Sequence, residues 1–223
     1  MKISVLQFPG TNCEYDTKYA FEQLGCDVQI IWHKEKEIPS DTDLVVIPGG
    51  FSYGDYLRSG AIARFANVME SVKEFAAKGG KVLGICNGFQ MLLEAHLLPG
   101  AMKRNSNVHF ISKFHPLKVV NTNNTFLRKC TVGEILNVPI AHGEGSYYID
   151  EAGLKELYAN EQVLLTYSDE KGDVDNPNGS IDSIACICNK EKNVFGLMPH
   201  PERAIESILG SDDGVKMLQG FIH

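Results

Sequence analysis

The chain has 223 residues, 43% of them hydrophobic, with a formal net charge of −7 and an isoelectric point near 5.5. That acidic balance disfavours nucleic acid and anionic membrane as partners, and no apolar run reaches the roughly 18 residues of a membrane span. The length suits one domain over 1–223 with a sizeable core. Met1-Lys2-Ile3-Ser4-Val5-Leu6 reads as a strand rather than a signal peptide, because the apolar stretch is short and no cleavage site follows. The six cysteines (13, 26, 86, 130, 186 and 188) form neither a metal-type pairing nor a disulfide framework. A reducing, cytoplasmic setting is expected.

In chain order, residues 3–8 read as a strand, 16–24 as a helix stopped by Gly25, 28–32 as a strand and 44–48 as another. Residues 61–78 read as a long helix with Ile62, Phe65, Met69, Val72 and Phe75 on one face, ended by Gly79-Gly80. A fourth strand at 82–85 leads into a helix at 88–95. This alternation predicts an α/β fold with a doubly wound, largely parallel sheet flanked by helices. The second half is richer in short strands, at 117–120, 138–141, 163–167, 184–188 and 194–198, and residues 204–209 and 215–221 look helical.

Cys86 stands where the buried strand turns into a helix, inside Gly84-Ile85-Cys86-Asn87-Gly88. That is a nucleophile elbow with sulfur in place of oxygen. Glycines two residues either side ease the tight turn, and the positive end of the helix favours the reactive thiolate. Far downstream, His200-Pro201-Glu202 offers an acid/base imidazole and, if the segment is extended, a carboxylate to orient it. A lone cysteine after an apolar run is usually a core residue; the flanking glycines and the distant His-x-Glu turn the reading toward cysteine acyl transfer.

The loops after the first, third and fourth strands share the carboxyl edge of the sheet, where doubly wound folds bind ligands. Pro48-Gly49-Gly50-Phe51 is placed to present the Gly50 amide, and the Asn87 amide follows the nucleophile; together they would stabilise an oxyanion. Gln90 lies one turn past Cys86, with an amide suited to a carboxamide or simply to solvent. His142-Gly143-Glu144-Gly145 reads equally as a ligand loop or a plain turn. Histidines 33, 96, 109, 115 and 223 lack metal-ligand spacing. Cys13 lies in a crevice-side loop with nothing nearby in sequence to activate it. No phosphate-binding loop of the Gly-x-x-x-x-Gly-Lys type occurs.

Gly84-Ile85-Cys86-Asn87-Gly88-Phe89-Gln90 with His200-Pro201-Glu202 resembles the class I (triad) glutamine amidotransferases, which have a flavodoxin-like fold. Phe8-Pro9-Gly10-Thr11-Asn12-Cys13, the stretch from Pro48 to Arg58, Ala61-Ile62-Ala63-Arg64-Phe65, Pro139-Ile140-Ala141-His142-Gly143-Glu144-Gly145 and Met198-Pro199-His200-Pro201-Glu202-Arg203-Ala204 narrow the resemblance. They are similar to the separate glutaminase subunits of phosphoribosylformylglycinamidine synthases, over nearly the whole chain. The resemblance implies Cys86 as nucleophile, His200 as acid/base and Glu202 as its orienter. It implies Gly50 and Asn87 as oxyanion donors, and Gln90, His142, Gly143 and Glu144 beside bound glutamine. It further implies a synthetase subunit that carries ATP, Mg²⁺ and the acceptor, and a small bridging subunit; no cofactor is expected on this chain. Tyr53, Asp55, Tyr56 and Arg58 are candidates for the partner interface, with a solvated active-site rim as the competing reading.

Three rival readings remain open. A glutaminase serving pyridoxal phosphate synthesis is opposed by the 51–58 and 61–65 stretches. A PfpI-type cysteine hydrolase or chaperone would usually carry histidine where this chain has Asn87. A catalytically silent interaction module would have no need of Cys86, His200 and Glu202 together.

Overall fold

The computed structural model describes residues 1–222; His223 lies outside the described residues. Its elements in chain order are β1 (Lys2–Gln7), α1 (Glu14–Gln23), β2 (Asp27–Trp32), β3 (Leu44–Ile47), α2 (Asn67–Ala77), β4 (Lys81–Ile85), α3 (Asn87–Glu94), β5 (Ala101–Lys103), β6 (Ile111–Val119), β7 (Ile135–His142), β8 (Ser146–Tyr148), α4 (Glu151–Ala159), β9 (Val163–Tyr167), β10 (Ile184–Cys188), β11 (Val194–Leu197) and α5 (Asp213–Leu218). β3 and β11 are buried at every residue, the near-continuous apolar pattern of a parallel strand covered on both faces.

The main sheet has nine strands in the order β2-β1-β3-β4-β11-β10-β9-β6-β7. From β2 to β11 neighbouring strands are parallel, in the flavodoxin-like order with its switch point between β1 and β3. From β11 to β7 they are antiparallel, which matches the shorter spacing of strand signals in the second half. β4 and β11 are adjacent, with Gly84 opposite Gly196 and Ile85 opposite Leu197. The two strands whose ends carry Cys86 and His200 therefore finish side by side, although more than a hundred residues separate them in sequence.

Several elements differ from the sequence expectation. The helix expected over 61–78 begins only at Asn67, because Ala66 is extended (φ −64°, ψ 145°) and residues 63–65 form a single 3-10 turn. The cause lies just upstream: Gly60 has φ +78°, and a Cβ there would stand 2.8 Å from the Met91 amide nitrogen. The chain passes too close to α3 to coil normally. Phe65, expected in the core, is 73% exposed and carries the Arg64 guanidinium 4.5 Å over its ring. Residues 204–209 are not an α-helix either; only Ser207–Leu209 form a 3-10 turn. The Ala204 carbonyl accepts from the Gly214 amide at 2.8 Å, and Glu206 bridges to Ser211, so this segment is a tight return loop. The helix α4 and the small β5–β8 sheet were not expected; Asp150, whose carboxylate accepts from the Gly153 amide at 2.7 Å, is the cap that marks the start of α4.

Candidate active site

Cys86 closes β4 and opens α3 in one residue, at φ +50° and ψ −105°. A non-glycine residue held there stores about 1–3 kcal/mol of backbone strain. The flanking glycines serve packing rather than the turn itself. A Cβ at Gly84 would lie 2.5 Å from Leu92 Cδ1, and one at Gly88 only 1.9 Å from the Ile47 carbonyl oxygen. The Cys86 amide donates to the Leu197 carbonyl at 2.7 Å, and Sγ lies 3.6 Å from the Ala141 carbonyl.

His200 follows β11 and is held by its own amide, which donates to the Pro139 carbonyl at 2.8 Å. The segment after it is not extended. Pro201–Arg203 is a 3-10 turn, and this turn swings Glu202 back so that Oε1 stands 2.7 Å from His200 Nδ1. Both side chains are buried. Burial alone would keep the imidazole neutral, but the Glu202 carboxylate and the Cys86 and Cys13 thiols outweigh it and push its proton affinity well above the ordinary range. With Nδ1 committed to Glu202, Nε2 is the free nitrogen, buried and without a hydrogen-bond partner. Gly49 fits between the three groups: a Cβ there would come within 2.8 Å of His200 Cε1, 3.0 Å of Cys13 Sγ and 3.4 Å of Cys86 Cβ.

Gly50 has φ +140°, and a Cβ there would lie 2.6 Å from Thr11 Cα. Gly50 and Cys86 border the same two cavities. Asn87 occupies the first position of α3, where a backbone N–H has no intrahelical acceptor. Its side chain braces the loop opposite, accepting from the Ser52 amide at 3.0 Å and donating to Asp55 Oδ1 at 3.3 Å and to Gln90 Oε1 at 2.8 Å.

One cavity, of about 120 Å³, lies on the α3 side of Cys86 and is bordered by Asp55, Ser59, Gln90, Phe110 and Glu144 among others. Gln90 is a strut as well as a lining residue, because its Nε2 donates to the Glu144 carbonyl at 2.6 Å. Glu144 Oε2 accepts from Ser59 Oγ at 2.8 Å. The His142 ring turns into the protein, with Nδ1 3.1 Å from Asn105 Oδ1 and Nε2 3.4 Å from Asn178 Nδ2. Burial, then the charge on His200, lower its pKa to about 4, so it is a neutral anchor for the loop, and it borders the cavity together with Gly143 and Glu144. Burial and the nearby Glu144 carboxylate raise Asp55 to about 6. Ser59, Asn105, Phe110 and Asn178 are not identifiable as site residues from the sequence motifs. For Asn178 the only signal is its place in a polar loop.

The 51–58 loop puts Tyr53, Asp55 and Leu57 at positive φ. Tyr53 turns inward, its hydroxyl 2.6 Å from His33 Nδ1, and Arg58 forks onto Glu94 at 2.6 and 2.7 Å. Asp55 faces the cavity. Of the four interface candidates only Tyr56 projects freely, at 74% exposure, beside the exposed Leu57.

A strained elbow cysteine beside a histidine–glutamate pair at the carboxyl edge of a flavodoxin-like sheet defines a cysteine amidotransferase scaffold. The CobB/CobQ-like glutamine amidotransferase domain matches residues 1–213. The chain is 68% identical over its full length, and 99% of the relative's, to the phosphoribosylformylglycinamidine synthase subunit PurQ of Sulfurimonas denitrificans. It is 58% identical over its full length to the PurQ of Campylobacter jejuni, covering 96% of that protein. A chain of the PurLQS structure from Thermotoga maritima superposes with a TM-score of 0.90 at 39% identity, covering 99% of this chain and 97% of the other. Another glutamine amidotransferase of Thermotoga maritima, at 16% identity and a TM-score of 0.64, covers 100% of this chain and 96% of its own, and shares the fold alone. The chain belongs to the glutamine amidotransferases and, within them, to the family of PurQ subunits of phosphoribosylformylglycinamidine synthase.

Proposed function

We propose that this chain is the glutaminase component of a phosphoribosylformylglycinamidine synthase: it hydrolyses glutamine and passes the ammonia to a separate synthetase subunit. The observation that carries the chemistry is the convergence of Cys86, His200 and Glu202 at the ends of two adjacent parallel strands. In this reading glutamine lies in the cavity bordered by Gln90 and the 143–144 loop, its carboxamide carbon against Cys86 Sγ. Attack by sulfur forms the C–S bond and moves the carbonyl π electrons onto oxygen, where the Gly50 and Asn87 amides receive the charge. His200 Nε2 takes the proton the thiol gives up and delivers it to the departing nitrogen; the oxyanion reforms the C=O bond as the C–N bond breaks, ammonia leaves, and a glutamyl thioester remains on Cys86. His200 then takes a proton from water, which attacks the thioester, and glutamate departs as the thiol is restored. Glu202 keeps Nδ1 protonated and aimed throughout.

Free ammonia would be protonated and lost in neutral water, so its acceptor must sit in a shielded site. In this proposal that site, with ATP, Mg²⁺ and formylglycinamide ribonucleotide, belongs to the synthetase subunit, and a small third subunit bridges the two. The work would take place in the cytoplasm; no helix among the described residues is long and apolar enough to cross a membrane. The test is to combine the chain with purified synthetase and bridging subunits and follow formation of formylglycinamidine ribonucleotide. Synthesis should depend on glutamine only when this chain is present. Product formation from glutamine at the same rate without it would defeat the assignment.

A further inference from the structure

His33 and Tyr53 have no part in the hydrolysis described above, yet they meet at the loop that follows Gly50. His33 comes directly after β2. Its amide donates to the Gln7 carbonyl at 2.9 Å, and its ring is buried with its centroid 4.4 Å from that of Trp32, so it is fixed to the sheet. Tyr53 has φ +52° and ψ +28° and is followed by Gly54 at φ +69°. Two successive left-handed residues, the first carrying a side chain, persist only where the surroundings over-determine them. The backbone bonds that do so are the Phe51 amide to the Gly10 carbonyl at 2.9 Å, the Tyr53 amide to the Pro9 carbonyl at 2.6 Å and the Ser52 amide to Asn87 Oδ1 at 3.0 Å. The Tyr53 side chain adds one more, its hydroxyl hydrogen-bonding His33 Nδ1 at 2.6 Å, with the two rings edge-on at 5.5 Å.

The aim of the Gly50 amide follows from this loop. Gly50 pairs with Thr11 as an isolated antiparallel bridge, and the bonds on either side run from the Phe51 amide to the Gly10 carbonyl and from the Asn12 amide to the Gly49 carbonyl. Gly50 and Thr11 are therefore a non-hydrogen-bonded pair, in which each residue's own N–H points away from its partner. The Gly50 N–H is turned off the bridge, and its direction depends on how residues 51–53 are held.

We propose that Tyr53 is a positioning residue for the Gly50 oxyanion donor, and that its bond to His33 ties the donor's loop to the end of β2. This inference rests on the glutaminase reading above. Tyr53 borders neither cavity at Cys86, so it acts through the backbone of its loop and not on the substrate. Negative charge on oxygen develops only in the tetrahedral states, which both half-reactions pass through. A misaimed donor therefore slows turnover and leaves the binding of glutamine alone.

The experiment uses the chain assembled with synthetase and bridging subunits and follows glutamate release in wild type, Tyr53→Phe, His33→Leu, His33→Asn and the Tyr53→Phe, His33→Leu double variant. Tyr53→Phe keeps the ring and loses the bond. Its kcat should fall about 10–100-fold, short of the roughly 10²–10³-fold of losing a donor outright, with KM for glutamine little changed. His33→Leu should lose as much, and the double variant no more than either alone, because a single bond serves both residues. His33→Asn, whose amide can pair with the hydroxyl, should recover most of the rate lost in His33→Leu. Alkylation of Cys86 by iodoacetamide forms no oxyanion, so its rate in Tyr53→Phe should match wild type. Affinity for glutamate γ-semialdehyde, which gives a tetrahedral adduct on the thiol, should fall with kcat. Wild-type kcat in Tyr53→Phe, additive losses in the double variant, or alkylation slowed in parallel with kcat would each overturn the proposal. A wild-type complex that releases no glutamate would defeat the glutaminase reading and this inference with it.

Discussion

The Cys86 amide donates to the Leu197 carbonyl at 2.7 Å, a bond that ties the thiol's own residue to the strand that leads into His200. Cys86 and His200, the proposed nucleophile and acid/base, thus share a rigid base, and their spacing depends on sheet register rather than on loops. In the proposed reaction this base handles only the nitrogen donor. Cys86→Ala or Cys86→Ser should abolish glutamine-dependent synthesis in the assembled complex and leave ammonium-dependent synthesis intact. Parallel assays with glutamine and with an ammonium salt check this, and retained glutamine-dependent synthesis would remove Cys86 from its role.

His200→Ala and Glu202→Gln should differ in severity. In the proposed reaction His200 moves a proton in both half-reactions, whereas Glu202 acts through Nδ1, 2.7 Å away. A neutral amide oxygen still accepts from Nδ1–H, so Glu202→Gln should lower kcat by a smaller factor, with KM for glutamine little changed. Steady-state kinetics of the two variants decide it; equal losses would contradict the division of roles.

Gly49→Ala should damage turnover more than stability. Its new methyl would meet His200 Cε1 at 2.8 Å and Cys13 Sγ at 3.0 Å, so the imidazole has to shift. A displacement of about 1 Å can cost about 10²-fold in rate. Melting temperature and kcat measured together test this; an active Gly49→Ala enzyme would show that the imidazole tolerates the shift.

Asp55 should make stability depend on pH in an unusual direction. Its folded pKa, raised to about 6 by burial and by Glu144, exceeds the unfolded value of about 3.9. Between these values the folded chain holds the extra proton, so stability contributed here falls as pH rises toward 6. Asp55→Asn should raise the melting temperature above pH 6, with the gain fading by pH 4. Thermal melts across that range check the slope, and a gain independent of pH would point to packing instead.

His142 should act with the opposite sign. Its folded pKa of about 4 lies below the unfolded value of about 6.5, so its contribution is full above 6.5 and is lost as pH falls through 4. Replacing it with Gln, which can still bond Asn105 and Asn178, should flatten the acid limb of the stability curve. Denaturant melts at several pH values test this; an unchanged acid slope would mean that His142 titrates normally in the fold.

Cys86, His200 and Glu202, the proposed nucleophile, base and orienting acid, are all legible in the sequence, because each sits in a local pattern. An apolar strand running into glycine-flanked cysteine has few other uses, and a carboxylate two residues from histidine is within reach under more than one local geometry. The alternation of strand and helix likewise determined the parallel half of the sheet, since apolar runs of strand length between helix-period segments can be buried in few ways. Other features depended on contacts distant in sequence. The late start of α2 follows from the approach of Gly60 to α3, which no periodicity in 61–78 encodes. The His142–Gly145 motif reads equally as a ligand loop or a plain turn, and only the fold shows that the loop borders the cavity while Asn105 and Asn178 hold the His142 ring. Cys13 has nothing nearby in sequence to activate it, while in the folded chain Arg203, 190 residues away, donates to its sulfur at 2.9 Å. Local sequence sets the strain and spacing of a turn, but the partners of a buried polar group are chosen by whichever strands and loops the sheet order brings alongside it.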